Sequence, residues 1–127
     1  MRALLDTHAF LWAITEDTRL SRRARDIFTG SSDLWISIVS IWEILIKVQN
    51  GKLNLPKPAG AYVLGQLADN RIETLPVTLD HLLAFEQLQL HHRDPFDRML
   101  IAQSVADDLP IITADRYFNK YSIRTIW

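Results

Sequence analysis

Short apolar runs alternate along this chain with longer segments whose apolar residues recur at helical spacing. Strands are predicted at residues 2–5, 34–37, 72–76, 110–113 and 123–126. Helices are predicted at residues 7–14, 21–28, 39–49, 59–69, 79–88 and 95–107. Strands that alternate with helices indicate a parallel sheet covered by helices, because parallel strands need long crossover connections. Since the 127 residues contain no linker or repeat, we expect one α/β domain over residues 1–127.

The segment HRDPFDRMLIAQ, residues 92–103, places two carboxylates where a helix is predicted to begin. Asp94 followed by Pro95 is typical of a helix start, because the Asp side chain caps free N–H groups and Pro needs no donor there. Asp97 is different. Leu100 and Ile101 lie one turn further along the helix, so Asp97 is expected to lean toward packed surface.

The composition excludes several classes of protein. Hydrophobic residues make up 48% and charged residues 23%, as in globular domains, so we do not expect disorder. The absence of cysteine excludes disulfides, thiolate metal sites and cysteine nucleophiles. No uncharged apolar stretch reaches the length of about 18 residues that a membrane span needs, and MRALLDTH is no signal peptide. We expect a soluble cytoplasmic protein, and the net charge of −1 counts mildly against a nucleic-acid partner.

Four acidic side chains are predicted to meet at one edge of the sheet. Asp6 follows the first predicted strand, Glu43 comes soon after the second, and Asp115 follows the fourth. Asp97 begins the helix that leads into the fourth strand. Ligand crevices in open α/β sheets lie beyond the carboxyl ends of the strands, so the four acids are expected to share one rim.

Each acid also has a purely structural interpretation. These interpretations are a helix N-cap for Asp6, a capping box with Ser40 or an ion pair with Lys47 for Glu43, a favourable helix start for Asp97, and an Asx turn for Asp115. Together they explain less, because four close carboxylates raise each other's pKa unless a cation neutralises them. Oxygen donors without cysteine or paired histidine suit Mg²⁺ or Mn²⁺ rather than zinc. The pattern therefore indicates metal-assisted phosphodiester hydrolysis.

The motifs resemble those of a known family. LLDTH, SIVSIWEI, HRDPFDRMLIAQ and PIITADRYF are similar, in this order, to the successive motifs of PIN-domain nucleases, and most of all to bacterial VapC-type toxins of type II toxin–antitoxin systems. The resemblance covers residues 2–127. It implies a three-layer α/β/α PIN-like fold with a five-stranded parallel sheet, and an endoribonuclease site that depends on Mg²⁺ or Mn²⁺.

The resemblance also implies a role for each acid. By motif position, the family's acidic quartet corresponds to Asp6, Glu43, Asp97 and Asp115. Asp6 and Asp97 would be the principal metal ligands, and Asp115 would complete the metal site directly or through water. Glu43 would hold metal-bound water or accept a proton. Tyr117 stands where some relatives carry a further acid, which weakens the expectation of a second filled metal site but not of hydrolysis through one ion.

Residues around the quartet are expected to support the acids or to contact substrate. Thr113 matches the family's hydroxyl beside the last acid, and Thr7 and Ser40 are predicted to support the acids in the same way. Arg98, Arg116 and the basic cluster at residues 91–93 are candidates for contacts with RNA phosphates. An ion pair with one of the acids is the equal alternative for Arg98.

The family further implies an RNA substrate, a homodimer and a cognate antitoxin, VapB-like or of another type II class, whose tail covers the acidic groove. Three alternatives stay open at this point. A phosphoacceptor receiver domain is disfavoured because DTH, not paired acids, follows the first strand, and a haloacid-type phosphatase because His8 stands where a second Asp is needed. A PIN-like module that binds RNA or a partner without cutting is disfavoured by the complete set of acids.

Overall fold

The computed structural model describes residues 1–30 and 33–127. Five parallel strands form one sheet in the order β3-β2-β1-β4-β5. The strands are β1 (Arg2–Leu5), β2 (Asp33–Ser37), β3 (Glu73–Leu75), β4 (Ile111–Ile112) and β5 (Thr125–Ile126). The helices are α1 (Thr7–Ile14), α2 (Arg22–Thr29), α3 (Ile38–Gln49), α4 (Ala59–Asp69), α5 (Leu79–Gln87) and α6 (Pro95–Asp107), with a 3₁₀ helix at Arg116–Lys120.

Helices cover both faces of the sheet. Ala3 and Leu5 of β1 pack into one buried cluster, together with side chains of α1, α2, α3 and α4. Leu4 points to the opposite face, as alternation along a strand requires, and packs with Leu100 and Ile101 of α6. The expected α/β/α architecture with a five-stranded parallel sheet is thereby confirmed.

The short strands differ most from the sequence prediction. Strand β4 spans two of the four predicted residues, although the neighbours on both sides still pair: Pro110 O accepts from Leu4 N, and Thr113 N donates to Ile126 O. Strand β5 begins at Thr125 rather than at residue 123, because Ile123 N is used in a tight turn to Tyr121 O. Pairing partners supplied by the rest of the fold, not apolar pattern, set these strand ends.

Helix α3 starts one residue before its predicted start, and this shift matters for Glu43. Helix α3 begins at Ile38 with Ser37 as its N-cap, since the Ser37 hydroxyl accepts from Val39 N. Ser40 is thus inside the first turn of the helix and does not form a capping box with Glu43. Its hydroxyl is free to contact the neighbouring helix α1.

The topology brings the carboxyl ends of β1 and β4 together. Strand β1 lies between β2 on one side and β4 on the other, so the connections diverge at the β1–β4 boundary. Helix α6 precedes β4 and runs antiparallel to it, which returns its N-terminus to the same edge. This is the edge at which ligands bind in doubly wound sheets.

A buried histidine ties α5 to α6 and so helps to fix the position of α6. His81 is 1% exposed. Its Nδ1 accepts from Thr78 N at 3.0 Å, and its Nε2 lies 2.8 Å from Asp107 Oδ2 at the far end of α6. Within the part of the chain that the structure describes, no helix is both long and apolar enough to cross a membrane.

Candidate active site

Asp6 joins β1, α1 and the strand end of β4. It is the N-cap of α1, where its Oδ1 accepts from Ala9 N at 2.7 Å. Its Oδ2 accepts a short hydrogen bond from the Thr113 hydroxyl, and the same hydroxyl accepts from Asp115 N at 3.0 Å. The predicted support by Thr113 is therefore present as a direct contact. The structural interpretation of Asp6 as a helix N-cap is also correct, so the same carboxylate caps α1 and forms part of the acidic site.

Glu43 is held by α1 and by its own helix. The Thr7 hydroxyl lies 2.8 Å from Glu43 Oε1 and 2.9 Å from the Ser40 hydroxyl. Since a carboxylate only accepts, Thr7 donates to Glu43 and accepts from Ser40. Lys47 Nζ lies 3.1 Å from Glu43 Oε2, as the sequence spacing indicates. Thr7 and Ser40 thus orient Glu43, and Ser40 does so through Thr7.

Asp97 lies in the first turn of α6. Asp94 caps this helix as predicted, since its Oδ1 accepts from Phe96 N at 2.8 Å and from Asp97 N at 3.3 Å, with Pro95 in the first turn. The cap fixes the direction of the first turn, which turns the Asp97 side chain toward the other acids.

Asp115 follows β4 and starts the 3₁₀ helix. Its Oδ1 accepts from Tyr117 N at 2.9 Å, which is the turn role expected for an Asp at this position. Its Oδ2 lies 3.3 Å from His92 Nε2, and the same nitrogen lies 3.1 Å from Asp97 Oδ2. Ligand atoms of His92, Asp97 and Asp115 all lie within 4.8 Å of one another.

The four predicted acids differ in depth. Asp6 and Glu43 are each 5% exposed and form the floor of the site. The side chains of Asp97 and Asp115 are 21% and 34% exposed and lie toward solvent. We call this group of two buried and two partly exposed acids, at the carboxyl edge of β1 and β4, the acidic depression.

Burial and mutual repulsion shift the proton affinity of the acids. Burial raises the pKa of Asp97 to about 8, and the negative charges of Asp94, Glu43, Asp6 and Asp115 add to the shift. Burial likewise raises the pKa of Asp6, while its hydrogen bonds from Thr113 and from Ala9 N act in the opposite direction. Without a cation, Asp97 therefore keeps its proton at neutral pH, and a bound cation would replace it.

The donor set fits a small hard cation. Asp6, Glu43, Asp97 and Asp115 offer carboxylate oxygens, the donors that Mg²⁺ and Mn²⁺ prefer. The raised pKa of Asp97 is the second sign of fit, because neighbouring carboxylates contribute negative charge that a bound cation would offset. Lys47 is the one lysine or arginine found in an ion pair with the four acids among residues 1–30 and 33–127, and it contacts Glu43 alone.

The two arginines predicted to contact RNA lie in different surroundings. Arg116 is exposed and follows Asp115 directly. The guanidinium of Arg98 lies 4.4 Å from the centre of the Phe85 ring, and its Nη2 donates to Leu88 O at 3.4 Å. In the described part of the chain Arg98 has no ion pair with an acid, so that alternative is wrong.

His92 is the residue of this site that the sequence interpretation did not assign. It was grouped with residues 91–93 as a basic cluster, whereas its ring reaches both Asp97 and Asp115. A signal was present in the sequence, because His92 stands two residues before the helix cap Asp94. A residue just before an N-cap lies close to the first turn of the same helix, which here carries Asp97.

Asp97 makes the stability of the metal-free protein depend on pH. Its pKa is about 8 when folded against an ordinary 3.8, so the folded state keeps a proton that the unfolded chain releases. The free energy of unfolding is therefore expected to fall as pH rises from about 4 to about 8 and then to level off. Urea unfolding of wild type and of Asp97→Asn in EDTA, at pH values across this window, measures the effect. The variant is expected to show a much weaker fall, and parallel curves for the two proteins would contradict the assignment.

Comparison with solved structures shows the fold of toxin–antitoxin proteins. VapBC2 from Rickettsia felis bound to a DNA fragment from their promoter matches with a TM-score of 0.72 and 13% identity, covering 99% of this chain and 98% of that chain. DNA-bound VapBC from Salmonella typhimurium matches with a TM-score of 0.75 and 18% identity over 99% and 97%. FitAcB from Neisseria gonorrhoeae matches with a TM-score of 0.69 and 16% identity over 100% and 97%. At these identities the likeness concerns the fold alone.

Comparison with sequences identifies the family. A search of curated proteins found no match. The family model described as PIN domain matches residues 3–123, which includes all four acids and nearly the whole chain. PIN domains are generally nucleases that use a divalent metal, in keeping with the acidic site at this edge of the sheet. The chain belongs to the PIN domain family.

Proposed function

We propose that this protein is an endoribonuclease that depends on Mg²⁺ or Mn²⁺ and is the toxin of a VapBC-type toxin–antitoxin pair. The observation that carries the proposal is the mutual influence of the four carboxylates, which come from four different segments of the chain. Asp6, Glu43 and Asp115 all act on the pKa of Asp97. A fold gains no stability from bringing these charges together, so a ligand is the reason for their arrangement.

Asp6 and Asp97 would hold the cation, and Asp115 would complete the metal site directly or through water. Bound there, the cation supplies Lewis-acid stabilisation of the negative charge that develops on the scissile phosphate. The chain's own contribution is position: the Ala9 N–H and Thr113 hydroxyl hold Asp6, and the Asp94 cap holds the first turn that carries Asp97. These contacts exist before any ligand binds, which keeps the cost of organising the site low.

Glu43 is the proposed proton acceptor for the attacking water. Thr7 and Lys47 hold its two oxygens from opposite sides, and the side chain is buried on the floor of the depression. As the water oxygen bonds to phosphorus and the bond to the leaving ribose oxygen breaks, the released proton passes to the carboxylate, and the ribose oxygen takes a proton from solvent. Rigid placement of the acceptor is what such a transfer needs.

Arg116 is the proposed contact for an RNA phosphate beside the scissile one. It is exposed and adjoins Asp115, so its guanidinium can reach a phosphate at the rim of the acidic depression. Arg98 was proposed for the same role from sequence, but its guanidinium is engaged with Phe85 and Leu88 of the α5 segment. We therefore propose Arg116, in preference to Arg98, as the residue that contacts the phosphate.

Cleavage of RNA is expected to need both Asp97 and a divalent cation. Asp97→Asn keeps the size of the side chain but removes a ligand charge, so the cleavage rate should fall by more than the roughly 10–100-fold that loss of an outer-shell partner costs. Gel analysis of a defined RNA panel with Mg²⁺, with Mn²⁺ and with EDTA measures the rate.

The matched control is Asp108→Asn, the same chemical change at the opposite end of α6, where Asp108 is exposed and its left-handed backbone tolerates Asn. This control should cleave like wild type. Equal cleavage by wild type and Asp97→Asn, or cleavage that EDTA does not stop, would contradict the proposal. A wild type that binds RNA without cutting it would favour the alternative of a non-catalytic PIN module.

The toxin role is supported by the chains that share this fold. Those chains come from structures described as VapBC2, VapBC and FitAcB, which belong to toxin–antitoxin complexes. We propose that a VapB-like or other type II antitoxin binds this protein and that its tail covers the acidic depression. Such a cover would neutralise the site by competing with the RNA backbone for its rim.

Expression of the wild-type protein without an antitoxin is expected to arrest bacterial growth. Asp6→Ala should relieve the arrest, because it removes a ligand from the floor of the site, whereas Asp108→Asn should not. Growth curves after induction measure the effect, with immunoblots to show equal accumulation of the three proteins. Equal growth of the wild-type and Asp6→Ala strains would contradict the toxin role.

A homodimer is proposed from an exposed apolar stripe on α5. Leu79, Leu82 and Leu83 are 70%, 49% and 54% exposed and recur at the i, i+3, i+4 spacing of one helix face. Three large aliphatic side chains on one exposed face indicate a surface that a second protein covers. A second copy of the chain is the proposed partner.

The dimer should dissociate when a charge enters this stripe. Leu83→Glu is expected to halve the mass measured by light scattering, because a buried, unpaired carboxylate is costly at an apolar interface. Leu64→Glu is the matched control, since Leu64 is an equally exposed leucine on α4, at 64% exposure. A monomeric wild type, or a Leu83→Glu protein with the wild-type mass, would contradict the dimer.

A further inference from the structure

His92 stands in the acidic site as the third member of a group that resembles a metal-binding triad. Its Nε2 lies 3.1 Å from Asp97 Oδ2 and 3.3 Å from Asp115 Oδ2, and the ligand atoms of the three residues lie within 4.8 Å of one another. This spacing suits a nitrogen ligand to a transition metal as well as it suits a hydrogen-bond donor. The hydrogen bonding of the other ring nitrogen, Nδ1, distinguishes these two roles of Nε2.

The Nδ1 atom of His92 accepts a hydrogen bond from the backbone. Asp94 N donates to it at 3.2 Å, and a backbone N–H has no other role than donor. Nδ1 therefore carries no proton, which places the ring proton on Nε2. Metal binding at Nε2 would require this proton to move to Nδ1, where it would face the Asp94 N–H, so the bond from Asp94 N opposes a ligand role.

The imidazole is also held in place. The rings of Tyr117 and Phe118 lie 5.4 Å and 6.1 Å from it, centre to centre, and the side chain is 16% exposed. Its Nε2–H donates to Asp115 Oδ2 and lies close to Asp97 Oδ2. The start of α6 carries Asp97 and also supplies Asp94 N. The hydrogen bond from Asp94 N to Nδ1 sets the tautomer of His92.

We propose that His92 is a positioning residue and not a metal ligand: its Nε2–H orients Asp115 and Asp97 for the cation that the proposed nuclease site binds. The inference rests on the proposed function and deepens it. Asp115 then has both oxygens engaged, Oδ1 by Tyr117 N and Oδ2 by His92, while one oxygen of Asp97 stays clear of His92. Asp6 and Asp97 remain the proposed direct ligands, and Asp115 would complete the site directly or through water.

Removal of the imidazole should weaken cation binding. His92→Ala is expected to raise the dissociation constants for Mg²⁺ and Mn²⁺ about 10- to 100-fold, the usual effect of losing a partner that orients a metal ligand. His92→Gln retains an N–H donor at a similar distance from the backbone and should stay within about threefold of wild type. His91→Ala, which removes the neighbouring exposed histidine that packs on Tyr121, should bind both cations like wild type.

Calorimetric titration with Mn²⁺ and Mg²⁺ gives these constants, urea unfolding in EDTA gives the stability of each variant, and pulsed EPR of bound Mn²⁺ gives the ligand type. Wild type is expected to show no coupling to an imidazole nitrogen. A histidine nitrogen signal that disappears in His92→Gln would overturn the proposal by making His92 a ligand. Loss of stability without a change in cation affinity in His92→Ala would overturn it by making the role structural.

The experiment also separates this proposal from the function on which it rests. If wild type binds Mn²⁺ and His92→Ala binds it equally well, the positioning role is wrong while the nuclease site stands. If wild type binds neither cation at millimolar concentration, the proposed nuclease site is wrong, and the role of His92 falls with it.

Discussion

Mutual repulsion among four partly buried carboxylates is the constraint on which this site depends. Burial and the neighbouring charges raise the pKa of Asp97 to about 8, so without a cation this carboxyl keeps its proton at neutral pH. Every other contact at this edge of the sheet reduces that cost. Thr113 donates to Asp6, Thr7 and Lys47 contact Glu43, and Tyr117 N and His92 Nε2 donate to Asp115.

Several side chains at the site serve the fold and the proposed chemistry together. Asp6 caps α1 and Asp115 starts the 3₁₀ helix, yet both also face the acidic depression. Capping positions suit this dual use, because they place a carboxylate at a helix mouth with one oxygen fixed by backbone N–H groups. The remaining lone pairs stay available for a ligand. The local interpretations of these acids therefore did not compete with the functional one.

The order of strands and helices was predictable because the spacing of apolar residues and the rules for parallel sheets indicate the same α/β fold. Strand ends of β4 and β5 were not, because their hydrogen-bond partners lie on distant parts of the chain. The convergence of Asp6 and Asp115 followed from their positions after strands that a parallel sheet brings together. The contact between His92 and Asp115 spans 23 residues and depends on how the 3₁₀ helix packs, which sequence spacing does not reveal. The contact of the Arg98 guanidinium with Phe85, in place of an ion pair with an acid, was not predictable for a similar reason.

The central claim is that Asp6 and Asp97 bind one divalent cation at the carboxyl edge of β1 and β4. Anomalous diffraction from a crystal of the protein grown with Mn²⁺ tests it most directly. We expect a peak about 2.0–2.3 Å from carboxylate oxygens of Asp6 and Asp97, with His92 Nε2 outside bonding distance. The absence of a peak at these two residues, or a peak bonded to His92 Nε2, would contradict it.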